Sequence, residues 1–149
     1  MTLRGVVLAN APFDGAEHLE RFLADNRDAG AVTSFTGSVR NDGGTLALEL
    51  SHYAPLTLPG MEGLAQSTAM RFSLLDLLIV HRTGTMRPGE PIVLVAAAAP
   101  HRRAAFDAVD YAMDHLKSRA WFWKREQHVD GWHWIEPRGQ DHADLARWK

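Results

Sequence analysis

The chain predicts an α+β fold in one domain, and three observations carry that expectation. Short β-biased runs are separated by turn signals at Asn41-Asp42-Gly43-Gly44, Arg87-Pro88-Gly89-Glu90 and Asp130-Gly131. Segments with helical periodicity interrupt those runs irregularly, which favours antiparallel hairpins over a doubly wound parallel sheet. There is no internal repeat, low-complexity stretch or interdomain linker, and 149 residues suffice for a single hydrophobic core.

Gly5–Ala9 (GVVLA) reads as a short buried strand. Asp14 is a candidate N-cap with Glu17 three residues on, opening a helix that puts Leu19, Phe22 and Leu23 on one stripe and ends near 26–30. Residues 31–39 and 45–53 are expected to pair as a hairpin across the 41–44 turn, with Arg40 near its tip. Leu46, Leu48 and Leu50 alternate with Ala47, Glu49 and Ser51 on the return strand. Residues 54–60 (APLTLPG) are expected to form a loop because of their two prolines and glycine, and 61–75 a second helix.

Residues 77–81 and 91–99 are apolar strand candidates, and the small-residue run VLVAAAA requires a close neighbour. From 101 onward a helix carries Ala105, Ala108, Val109, Ala112 and Leu116 as its apolar stripe. Met113 and Lys117, four apart, share another face. A two-residue loop at Asp130-Gly131 would set Val129 opposite Trp132, Gln127 opposite Trp134 and Arg125 opposite Glu136. Trp132 and Trp134 then share a face with Arg125 and Gln127, while Lys124 and Glu126 face the other way. Residues 139–149 read as a polar tail beyond a domain spanning 1–138, either mobile or docked on a partner.

Composition excludes several function classes. A formal net charge of −2 disfavours a general nucleic-acid binder. The absence of cysteine removes disulfides, thiolate metal sites and a cysteine nucleophile, and fits a cytoplasmic protein. The N-terminal stretch lacks the apolar core of a signal peptide, and the longest apolar run, 92–99, is far too short to cross a membrane. No phosphate-loop, dinucleotide, zincin or serine-elbow motif is present. His128 and His133 could approach across the last hairpin, but two ligands do not make a metal site, so neither metal nor cofactor is expected.

What remains is a basic, aromatic-walled site for an anionic small molecule. Lys117 and Lys124 lie among Arg119, Arg125 and the Trp-rich segment 121–123, with further basic residues at Arg40, His81-Arg82 and His101-Arg102. Lysine binds phosphate as a point charge, and burial beside other cations lowers its pKa toward values useful in proton transfer. Any one of these residues taken alone is better explained as a solvated surface charge. His101 and Lys117 are 16 residues apart, so one straight helix separates them by roughly 24 Å. If both serve one kind of site, that site combines two protomers of a symmetric dimer.

GAVTSFTGSVR at 30–40, LELSHY at 48–53, HRTGTMRPGE at 81–90 and HRRAAFDAVDYAMDHLKSRAWFWKRE at 101–126 together resemble the large, catalytic subunit of molybdopterin synthase, in order and across about 5–138. The resemblance implies an α/β hammerhead fold and a homodimer within a heterotetramer. It also implies a small ubiquitin-like sulfur-carrier subunit whose Gly-Gly thiocarboxylate tail enters a pocket. Two sulfurs would pass in turn to cyclic pyranopterin monophosphate, forming the molybdopterin dithiolene. By motif, Lys117 and Lys124 match catalytic lysines. Arg40, His101 and Arg102 match substrate-anion contacts, Phe35, Met113 and Glu126 match pocket positions, and Arg138 matches a further pocket arginine. A chain without cysteine that adds sulfur must receive it from a partner.

Two departures from the family pattern stand out: APLTL interrupts His52-Tyr53 and Pro59-Gly60-Met61, and Trp121 replaces a proline. Two other readings compete, a non-catalytic scaffold for a ubiquitin-like protein and a binder of nucleotides or RNA.

Overall fold

The structure is a computed structural model that describes residues 3–118 and 121–149. Its strands form two four-stranded sheets. The first runs β1 (Gly5–Ala9), β4 (Asp76–Arg82), β6 (Pro91–Ala99), β2 (Ala31–Ser38). The second runs β5 (Gly84–Met86), β3 (Ala47–His52), β7 (Phe122–His128), β8 (Gly131–Ile135). Only β1 and β4 pair in parallel; the other pairings are antiparallel. Helices α1 (Gly15–Asp25), α2 (Ala54–Arg71), α3 (Arg102–Ser118) and α4 (Gly139–Ala146) complete the α+β arrangement that the turn and period signals predict.

The first sheet is buried on both faces, which explains its near-continuous apolar β4 and β6. Alternate residues divide between two cores, as a two-residue period requires. Leu77, Ile79, Val93, Val95 and Ala97 pack with α2 and α3, whereas Leu78, Val80, Leu94 and Ala96 pack on Phe22 of α1. The predicted α3 stripe is buried throughout, and its alanines let the helix lie close to β6. Asp14 caps α1 as expected, its carboxylate accepting from the Glu17 amide at 3.2 Å.

Four expectations are corrected. β2 and β3 are not a hairpin: β2 pairs with β6 from Ala31↔Ala99 onward, and β3 lies in the other sheet between β5 and β7. The turn chemistry is real, since Asp42 accepts from the Gly44 and Thr45 amides, but the turn carries the chain from one sheet to the other. The small-residue strand β6 needs a neighbour on each side, and β2 supplies the second beside β4. Leu46 accordingly precedes β3 and stays half exposed, while Ala47 is buried.

Residues 54–60 are not a loop but the first turns of α2. Pro55 sits in the first turn, where a missing amide costs nothing, and the Leu56 and Thr57 amides close on the Tyr53 carbonyl. Pro59, further in, removes one helical hydrogen bond. Tertiary contacts offset that loss. Thr57 is fully buried and its hydroxyl donates to the Trp121 carbonyl at 2.7 Å. Gly60 lies beneath the Trp121 indole so closely that a Cβ would fall 2.4 Å from Nε1. The two departures from the family pattern therefore touch each other.

The β7–β8 register is shifted by two residues, pairing Arg125 with Trp134 and Gln127 with Trp132. Val129 and Asp130 make the turn and Gly131 takes φ 123°, which frees the glycine to leave it. An even shift preserves faces, so Arg125 stacks on Trp132 and Trp134 as anticipated.

Finally, 139–149 is docked on its own chain. Arg147 pairs with Asp110 and Asp114 of α3, and the Trp148 indole donates to Asp114 at 2.6 Å while packing edge-on against Phe72 and Tyr111.

Candidate active site

Arg40 leaves the end of β2, and Phe35 and Gly37 precede it on that edge strand. α3 delivers Met113, Leu116 and Lys117 on successive turns of one face. β7 delivers Lys124 and Glu126 two residues apart, hence on the same side of the second sheet. Arg138 enters from the N-cap of α4. All of these line one cleft of about 430 Å³, within the range of small-molecule sites.

Seven of the nine predicted site residues thus converge: Phe35, Arg40, Met113, Lys117, Lys124, Glu126 and Arg138. His101 and Arg102 do not. They stand exposed at the far end of α3, a helix length from Lys117, and do not line the cleft. Arg119, singled out in the sequence for its closeness to the lysines, lies outside the described residues.

The cleft is electrostatically uneven. Lys117 remains accessible, yet enough protein surrounds its ammonium that desolvation, the largest cause, holds its pKa below the ordinary lysine value. The Lys124 ammonium adds to the lowering, Asp141 opposes it, and Arg138 and Arg40 contribute further in the lowering direction. Glu126 is engaged from behind, its carboxylate 3.1 Å from His128 Nε2. Nδ1 of His128 reaches the Gly44 carbonyl and so ties β7 to the loop holding Asp42.

Sequence reasoning named His81 only as one of the basic residues and missed the cleft acids Asp42, Glu136 and Asp141. His81 is buried at the floor, stacked 4.1 Å from the Phe122 ring, with Nδ1 2.9 Å from the Arg82 carbonyl oxygen. Burial, with smaller contributions from Lys117 and His52, pushes its pKa down to about 4 against the bond to Arg82, so the imidazole is neutral at physiological pH. Its partner in the sequence, Arg82, points elsewhere: that guanidinium donates to the Thr83 and Thr85 carbonyls and braces β5. For Asp141 the three-residue spacing from Arg138 was an available signal, being that of a capping box.

No group of three or more potential metal ligands occurs among the described residues. His133 does approach His128 across the hairpin, with ring centroids 5.4 Å apart, but its Nε2 bonds Asp130 at 2.7 Å while His128 bonds Glu126. Among the described residues no helix is long and apolar enough to cross a membrane.

Comparison with known proteins agrees with this fold. The family model described as MoaE protein matches residues 8–119. A molybdopterin synthase catalytic subunit of Caulobacter vibrioides is 46% identical over 144 residues, covering 96% of each chain. Among solved structures, the molybdopterin cofactor biosynthesis protein E of Burkholderia multivorans superposes with a TM-score of 0.83 at 38% identity, covering 99% of this chain and 97% of that one. A molybdopterin synthase structure from Staphylococcus aureus gives 0.76 at 29% identity, covering 91% and 98%. With the family match spanning most of its length and the fold shared over nearly all of it, the chain belongs to the MoaE protein family.

Proposed function

We propose that this chain is the catalytic subunit of a molybdopterin synthase, acting in the cytoplasm. It moves sulfur from the thiocarboxylated Gly-Gly tail of a small ubiquitin-like carrier to cyclic pyranopterin monophosphate. The observation that supports this best is the meeting of Lys117 from α3 and Lys124 from β7 in one cleft, flanked by Arg40 and Arg138.

Each feature has a chemical use. As the carrier's sulfur bonds to a pterin carbon, the C–O bond to the cyclic phosphate breaks and leaves negative charge on a phosphate oxygen. Water then cleaves the carrier's acyl C–S bond, leaving the sulfur on the pterin and a carboxylate on the carrier. Fixed cations aimed at the phosphate charge stabilise it most where water is partly excluded. Arg40 and Arg138 suit phosphate oxygens through their planar forks, while Lys124 acts as a point charge. Lys117, with its lowered pKa, exchanges a proton more readily than a free lysine and is assigned proton transfer. Phe35 and Met113 supply apolar walls for the pterin or the carrier tail, and Glu126, held by His128, lies across from them.

His101 and Arg102 enter this scheme from a second copy. They are too far along α3 to reach the same ligand as Lys117, so the complete site takes them from the partner protomer.

Reconstitution with thiocarboxylated carrier and cyclic pyranopterin monophosphate tests the reading. Molybdopterin should form, and Lys117→Ala should slow it by about a hundredfold or more. Carrier binding with no product in the unmodified protein would leave only a scaffold, and undiminished turnover in Lys117→Ala would remove that residue from the chemistry.

A further inference from the structure

Asp141 is the one cleft acid whose contacts reach both Arg138 and the end of α3. Its side chain is largely buried at 12% exposure, although α4 itself has no buried residue. One carboxylate oxygen accepts from the Arg138 amide at 3.0 Å and the other from the Arg138 guanidinium at 3.2 Å. Its carbonyl oxygen accepts from the Ser118 hydroxyl at 3.0 Å, one residue beyond Lys117. The same short helix is fastened at its other end, where Arg147 and Trp148 grip Asp110 and Asp114. α4 is thus tied to α3 at both ends, and Asp141 is the tie at the cleft.

We propose that Asp141 is a positioning residue for the reaction: it holds the Arg138 guanidinium at the cleft wall, and its negative charge offsets the cations crowded around Lys117. This rests on the functional reading above. The physical need is clear from the lining. Lys117 meets Lys124 from β7, Arg138 from α4, Arg40 from the end of β2 and neutral His81 from β4. The other acids on the wall are Glu126, engaged with His128, Asp42, engaged with backbone amides of its own turn, and Glu136. Among the described residues Asp141 is the only acid in the main electrostatic influences on Lys117, and it acts to keep the ammonium charged. Without it, four cations would share the cleft with less compensation, and Arg138 would lose the contact that orients its fork.

The test uses Asp141→Asn, which keeps an acceptor for the helix cap but removes the charge, and Asp141→Glu, which restores charge at a longer reach. Lys117 is titrated by NMR in the protein without substrate, and molybdopterin formation is followed across the neutral to alkaline range in the reconstituted enzyme. In Asp141→Asn the Lys117 midpoint and the matching limb of the pH–rate profile should both move to lower pH, and KM for the pterin should rise several-fold. Asp141→Glu should return the midpoint toward the starting value. A Lys117 midpoint unchanged in Asp141→Asn would overturn the proposal, whatever happened to the rate. Should the unmodified protein form no molybdopterin, the functional reading fails while the NMR titration still decides whether Asp141 acts on Lys117. A variant too unstable to titrate is replaced by Asp141→Ser, which also removes the charge while keeping an acceptor for the cap. If Lys117 titrates in it as in the unmodified protein, the coupling is refuted.

Discussion

His81 and Lys117 illustrate how burial sets chemistry one residue at a time. Both are held below their ordinary pKa chiefly by desolvation, but with different consequences. For Lys117 the lowering eases loss of its proton, which suits the proton transfer proposed for it; for His81 it creates a fixed neutral ring, stacked on Phe122 and pinned to the Arg82 carbonyl. The sign of its effect on stability follows. In the unfolded chain His81 takes up a proton near the ordinary histidine value of 6.5, whereas in the fold it does so only near 4. Stability is therefore unaffected by this group above about pH 6.5, and falls as pH drops from there toward 4, by an amount on the order of 3 kcal/mol. His81→Asn, whose amide can still reach the Arg82 carbonyl, should flatten that part of the stability–pH curve in denaturant titrations. An unchanged slope would mean the ring is not the group responsible.

At the scale of elements, α2 clamps Trp121 at the entry to β7, and so bears on where Lys124 stands. Thr57 and Gly60 both meet Trp121, which directly precedes the strand carrying Lys124. Thr57→Val keeps the volume but leaves the Trp121 carbonyl without that partner, and should cost about 1–3 kcal/mol in thermal or denaturant unfolding. Gly60→Ala forces a methyl group against the indole and should cost a similar amount, about 1–3 kcal/mol. Turnover should fall in both variants at temperatures where they remain folded, because Phe122 and Lys124 follow any shift of Trp121. Wild-type melting in Gly60→Ala would show that the indole moves aside freely. The residues of this clamp were visible in the sequence, but their partnership was not. Two prolines and a glycine satisfy the local rules for a loop, and only the buried contact with Trp121, more than sixty positions away, favours the helix.

The whole molecule poses the question of the missing anion contacts. The cleft holds seven of the nine residues expected there, and α3 keeps His101 and Arg102 at its opposite end. A composite site in a dimer makes a quantitative prediction by complementation. Mixed dimers of Lys117→Ala and Arg102→Ala protomers each contain one site with both substitutions and one with neither. Random co-assembly of the two inactive variants should therefore restore about one quarter of the wild-type rate. Activity no greater than that of the separate variants would rule out a site that takes Lys117 and Arg102 from different protomers.

The sequence by itself determined the α+β class, the α1 cap, the α3 stripe, the face on which Lys124 and Glu126 lie, and the residue types of a basic, cysteine-free site. These are properties of local periodicity, capping and composition, which short stretches of chain carry on their own. Tertiary structure alone decided that β2 joins β6 instead of β3, that 54–60 is helical, that the C-terminal residues dock on α3, and that His81 and Asp141 face the lysines. Each of those outcomes depends on a partner distant in sequence: a small-residue strand needing a second neighbour, an indole needing a glycine beneath it, or an acidic helix face needing Arg147 and Trp148. Such pairings are energetically decisive yet leave no periodic trace in the segments that make them.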